Sequence, residues 1–244
     1  KYDYPFTVFV NTDPIDQNNR HAMTWDMLRD LKQQGVILAN HTRDHDYLVR
    51  KPQYDDLWLK TTLDNIDYAQ QRLTEELGPV PKWLAYPFGE YSSSLKKIVQ
   101  NLNFKYAFGQ HSGVIDHTKD FLELPRFPIN EKYGELKRFK SILSTLPFPY
   151  ENITPEDRYL ENNENPPVVK IKFFKDLINI KNINCYSNEG NVWRKSEIKL
   201  LNENELEILL RDKFKSERGR INCSLWERGG KWRWLGIQYV IEEY

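Results

Sequence analysis

The stretch Val36-Ile-Leu-Ala-Asn-His-Thr-Arg-Asp-His45 limits the fold of this chain more than any other. Four apolar residues in a row read as a short strand buried on both faces, as in a parallel sheet covered by helices. The strand runs into a polar turn that carries His41 and His45. In α/β folds the turns after the strands converge at the carboxyl ends of the sheet, where ligands and metals sit. Two neutral imidazoles can supply half of a tetrahedral zinc shell, and a carboxylate usually completes the protein ligands of a hydrolytic site. The same spacing also occurs in hydrogen-bonded loops, so spacing alone leaves both readings open.

The flanking chain repeats the order strand, loop, helix. Phe6 to Asn11 is strand-like, Thr24 can cap a helix closed by Gly35, and apolar residues from Leu57 to Leu77 keep helical spacing up to Gly78-Pro79. Lys82 to Tyr86 reads as a strand ending in Pro87-Phe88-Gly89, followed by a helix from Ser92–Ser94 and a short strand at Tyr106 to Phe108. Leu122 to Phe127 reads as another strand, and Gly134 to Leu146 as a helix. This alternation predicts parallel strands with helices outside them. From Pro147 the pattern changes to a polar, proline-rich stretch, and beyond it residues alternate as β-strands do, with Gly229-Gly230 as a hairpin signal. The expected organisation is an α/β domain over 1–146, a linker over 147–166 and a small antiparallel, sandwich-like β domain over 167–244.

Lysine plus arginine equals aspartate plus glutamate at 35 each, so bulk charge offers no reason to propose nucleic acid as a partner. No apolar run is long enough to cross a bilayer. The 7 Trp, 14 Tyr and 12 Phe are a high aromatic content; such rings usually fill cores, and an exposed share also suits stacking on sugar faces. Trp232 and Trp234 share a strand face with either a core or a carbohydrate-binding role, and Tyr86 and Trp83 could line a sugar groove or fill the core. Cys185 and Cys223, the only cysteines, could pair in an oxidising compartment or stay buried as thiols. His21, His111 and His117 lie in polar loops and read as solvated.

Three local sequences together resemble NodB-type polysaccharide deacetylases, carbohydrate esterase family four. Asn40-His41-Thr42-Arg43-Asp44-His45 is similar to the family's H-[S/T]-x-x-H metal motif, Tyr86-Pro87-Phe88-Gly89 to its R-x-P-[Y/F]-G motif, and Leu124-Pro125-Arg126 to a strand near the end of its domain. Ala85 stands where the second motif has arginine, a form similar to the deacetylases of poly-β-1,6-N-acetylglucosamine biofilm systems. The resemblance implies an incomplete NodB-like (β/α) barrel over 1–146. It implies a divalent metal, with zinc the expected ion, held by His41 and His45 and by an aspartate from an earlier T-F-D-D segment. That segment is expected upstream of Lys1, since Asp3 and Asp13 lie in the wrong setting, and the acid histidine of the family is also expected upstream.

By the same resemblance the Phe88 amide holds an oxyanion, Tyr86, Pro87 and Gly89 border the substrate, and Arg126 orients a catalytic carboxylate; the alternatives are a plain tight turn for Pro87-Phe88-Gly89 and a surface or interdomain ion pair for Arg126. The expected activity is metal-dependent de-N-acetylation of N-acetylhexosamine units in an extracytoplasmic polysaccharide. Two alternatives are a glycan-binding protein that no longer turns over and a deacetylase acting on sugar esters or lipid-linked sugars.

Overall fold

The computed structural model describes residues 4–50, 55–174, 180–227 and 229–242. Asp3 therefore lies outside the described residues. The chain forms two compact units: residues 1–89, 94–108 and 121–123, and residues 90–93, 109–120 and 124–244.

The first unit is built on four parallel strands in the order β1 (Thr7–Val10), β2 (Ile37–Asn40), β3 (Trp83–Ala85) and β4 (Tyr106–Phe108). Helices connect them: α1 (Asp13–Asp16) and α2 (Trp25–Gln33) before β2, α3 (Asp56–Leu77) before β3 and α4 (Ser93–Asn101) before β4. Strand–helix–strand alternation with parallel pairing is what the apolar periodicity dictates. Thr24 caps α2 by accepting from the Met27 amide, and Asp55 caps α3 by accepting from the Trp58 amide. Gly35 and Gly78 follow these helices at φ 87° and 71°, a conformation that costs glycine little.

The core of this unit joins Val10, Leu28, Val36 and Leu38 to Leu73 and Leu77, so that α2 and α3 cover the sheet. Burial of each such leucine contributes about 1.5–3 kcal/mol. Ile37 departs from the expected two-sided burial of its strand, since it keeps 36% of its surface exposed. Leu122 to Phe127 forms no strand of the three sheets; its backbone bonds include one from the Gly109 amide to the Leu124 carbonyl and one from the Arg126 amide to the His111 carbonyl.

The second unit is a two-sheet sandwich larger than the sequence suggests. One sheet runs β10 (Arg194–Lys195), β9 (Asn184–Ser187), β13 (Arg218–Glu227), β14 (Lys231–Ile241) and β5 (Leu146–Pro147), with β7 (Tyr159–Leu160) also on β14. The other runs β11 (Glu197–Leu200), β12 (Glu205–Leu209), β8 (Val169–Phe173) and β6 (Tyr150–Thr154). The short helix α5 (Leu136–Leu143) precedes β5. The stretch 147–166, expected as a linker, thus supplies β6 and β7. Its prolines fall at strand ends and turns, where a missing amide proton breaks no ladder. Pairing is antiparallel apart from β5 and β7, which lie parallel to β14.

Alternate residues of both sheets fill one core: Val169, Ile171 and Phe173 from β8, Leu206 and Ile208 from β12, and Leu235, Ile237, Tyr239 and Ile241 from β14. Cys185 and Cys223, opposite each other on β9 and β13, are joined by a disulfide inside it. That settles the alternatives left open for the two cysteines.

Candidate metal centre and active site

β2 ends at Asn40, and its side chain shapes the turn that follows. The Thr42 amide donates to Asn40 Oδ1 at 2.7 Å, which closes an Asx-turn directly after the strand. Asn40 is fully buried, and its Nδ2 donates to the Ile66 carbonyl at 3.0 Å and to Gln70 Oε1 at 3.3 Å, both on α3. Asn11 at the end of β1 donates to the carbonyls of His41 and Thr42. Arg43 is clamped by Asp13, whose two carboxylate oxygens accept from its Nε at 2.8 and 2.9 Å. That hydrogen bond raises the Arg43 pKa. Asn65 accepts from the Arg43 amide and donates to Asp44, each at 2.8 Å. The loop is held from β1, α1 and α3 at once.

Held in this way, the loop turns its histidines toward one another. The His41 and His45 ring centroids are 4.8 Å apart at 83°. His41 Nδ1 lies 2.7 Å from the Ala85 carbonyl at the end of β3. A carbonyl can only accept, so the proton sits on Nδ1 and the ring's basic lone pair on Nε2, the tautomer a metal ligand needs. The His45 ring meets Phe88 with centroids 4.5 Å apart. Phe88 stacks on Tyr47 at 4.0 Å, and the Arg50 guanidinium lies 3.8 Å over the Tyr47 ring. This cation–aromatic–aromatic stack packs the residues after the histidine loop against the turn after β3.

The backbone is strained at the same place. Thr42, His45 and Phe88 have φ of 70°, 64° and 57°. For a β-branched residue such as Thr42 this is an outlier that only a fully determined surrounding maintains, and such outliers gather at functional sites. Gly89 follows Phe88 at φ 68° and donates its amide to the Tyr86 carbonyl at 2.9 Å, so the turn that carries Phe88 is closed upon itself. The histidine loop also lines a cavity of about 600 Å3, with Arg43, Asp44, Tyr47, Trp58 and Asn65 among its walls.

The expected residues divide. His41, His45 and Phe88 meet at the strand tips. Tyr86 does not border a groove: it is fully buried and donates its hydroxyl to the Leu122 carbonyl at 2.9 Å. Pro87 and Gly89 are buried as well, which makes them part of the turn's frame rather than a border to substrate. Trp83, half-buried, packs edge to face on Tyr106. Arg126, in the second unit, makes neither expected contact with a carboxylate among the described residues; its Nε donates to the Gly109 carbonyl at 2.9 Å. His21 and His117 are exposed as expected, whereas His111 is half-buried and packs near Tyr91. Residue reading missed Asn40, although an asparagine two positions before the first turn residue signals an Asx-turn. It also missed Tyr47, which no local pattern marks.

His41 and His45 are of the residue type that ligates a divalent metal, and the Nδ1 contact of His41 leaves its Nε2 as the nitrogen that could do so. Among the described residues no group of three or more His, Cys, Asp or Glu comes together to hold a metal, so the third protein ligand is not supplied there.

Residues 1–107 match the polysaccharide deacetylase family model. Among solved structures, the chain is similar to the deacetylase PplD of Streptococcus pyogenes in complex with acetate, at 20% identity and a TM-score of 0.50, covering 55% of this chain and 56% of that one. It is also similar to a de-N-acetylase from Aggregatibacter actinomycetemcomitans, at 15% identity and a TM-score of 0.51, covering 58% of this chain and 66% of the other. The chain thus spans between half and two thirds of the length of these deacetylases. No curated protein matches. The first unit has the NodB-like deacetylase fold as a partial barrel, with its histidine pair at the carboxyl ends of the strands.

Proposed function

We propose that the protein removes acetyl groups from N-acetylhexosamine units of a polysaccharide, poly-β-1,6-N-acetylglucosamine being the polymer that Ala85 in place of the motif arginine favours. The observation that carries this reading is the meeting of His41, with its Nδ1 proton committed to Ala85, with His45 and the Phe88 turn. A divalent metal, zinc by its preference for imidazole, would supply Lewis acidity toward water and an acetamide carbonyl when held by His41 and His45.

The remaining tasks belong to the chain. His41 and His45 are kept in place by the Asn40 turn and the Asp13–Arg43 clamp, so that little reorganisation is needed when substrate arrives. The Phe88 amide is the candidate donor to an oxyanion. The cavity beside the loop offers Tyr47 and Trp58 as apolar walls and Asp44 and Asn65 as hydrogen-bonding partners, a mixture that suits a sugar. The Cys185–Cys223 disulfide supports an extracytoplasmic location, because such bonds persist in oxidising compartments.

The test is metal content and acetate release from an N-acetylglucosamine oligomer. His41→Ala and His45→Ala should each lose the metal and lower acetate release at least about a hundredfold. Metal retained at wild-type stoichiometry in the double variant would refute the assignment. Metal bound by a wild-type protein that releases no acetate would favour a glycan-binding protein without turnover.

A further inference from the structure

Trp226 and Trp232 stand opposite each other on β13 and β14 and point away from the sandwich core. Their rings meet edge to face with centroids 4.8 Å apart, yet the residues keep 52% and 42% of their surface exposed. Two half-exposed indoles side by side leave apolar area in water that folding does not require. Beside them Trp226 shares a cavity of about 540 Å3 with Lys181, Asn182, Asn184, Lys195 and Ser196.

An aromatic plate edged by side-chain amides suits a pyranose, whose C–H face is apolar and whose rim carries hydroxyl or acetamide groups. Asn184 Nδ2 donates to the Asn182 carbonyl at 3.2 Å, which fixes the amide, and its Oδ1 has no partner among the described residues. The charges of the cavity are of one sign. Lys181 and Lys195 line it, and among the described residues no carboxylate does. A sugar bearing an ammonium group is repelled there, whereas an N-acetylated sugar is neutral.

We propose that the Trp226–Trp232 pair and the adjoining cavity form a second glycan site, one that holds N-acetylated hexosamine polymer in preference to its de-N-acetylated, cationic counterpart. It rests on the reading of the first unit as a deacetylase of such a polymer, and gives the β unit a role in retaining substrate and releasing product.

Isothermal titration of the full chain, carrying His41→Ala to stop turnover, would compare β-1,6- and β-1,4-linked hexamers of N-acetylglucosamine with the matching glucosamine hexamers. At least one acetylated hexamer should bind at least about fivefold more tightly than its glucosamine form at low salt. Adding Trp226→Ala and Trp232→Ala should weaken its binding at least about tenfold without altering the circular dichroism. Lys181→Glu with Lys195→Glu should reverse the preference.

Unchanged binding in the tryptophan variant, or no binding of either acetylated hexamer, would overturn the proposal. So would sedimentation showing a dimer that the tryptophan substitutions dissociate, which would assign the face to a second copy of the chain. If the protein without His41→Ala releases no acetate while the tryptophan-dependent binding persists, the deacetylase reading alone fails and the glycan site stands.

Discussion

Asn40 carries more of the candidate site than its short side chain suggests. It links the end of β2 to α3 through Ile66 and Gln70, and it sets the turn that places Thr42 and His45 at positive φ. Replacing it with alanine removes these bonds and leaves buried partners unsatisfied, each worth about 1–3 kcal/mol. Asn40→Ala should therefore lower the stability of the first unit by about 2 kcal/mol in urea titration. It should also lower metal affinity, since the strained loop would relax away from the ring orientation seen here. At this scale the two histidines were legible in the sequence because a polar pair after an apolar strand is a local pattern. The burial of Tyr86 was not, because the Leu122 carbonyl that accepts from its hydroxyl lies 36 residues further along the chain.

The helices of the first unit are joined through one cluster. Arg72 on α3 reaches Asp16 on α1 at 2.8 and 3.0 Å and bonds Glu75 and Glu76 on its own helix, while Trp25 of α2 donates its indole N–H to Asp16 at 2.9 Å. The hydrogen bond from Arg72, opposed in part by burial, holds the Asp16 carboxyl below the usual carboxylate range. Native Asp16 thus binds a proton more weakly than unfolded Asp16. Its contribution is present above the ordinary carboxylate pKa and is lost as pH falls through the depressed one. Asp16→Asn should cost about 1 kcal/mol or less at neutral pH, and the difference from wild type should shrink as the pH of thermal melts falls below about 4. Capped helices such as α2 and α3 were legible from Thr24, the apolar spacing and the closing glycines. The cluster was not, because Asp16 and Arg72 are 56 residues apart in the chain.

Across the whole molecule, the two units are stabilised differently. The second unit holds its sandwich with a disulfide between residues 38 apart in sequence. A closed loop of that length removes chain entropy worth about 4 kcal/mol from the unfolded state, so reduction should lower the unfolding free energy of the second unit, read from urea titration, by about that amount. The amino-acid order alone determined the strand–helix alternation of the first unit, the β alternation of the second and the histidine pair that follows an apolar strand. These follow from periodicities of two and 3.6 residues, which are local. Tertiary structure alone decided that Pro147 to Pro166 joins the sandwich, that Cys185 and Cys223 pair, that Arg126 meets a carbonyl, and that His41 turns its Nδ1 to Ala85. Each depends on which distant segment lies alongside, and pairing across tens of residues leaves no trace in local spacing.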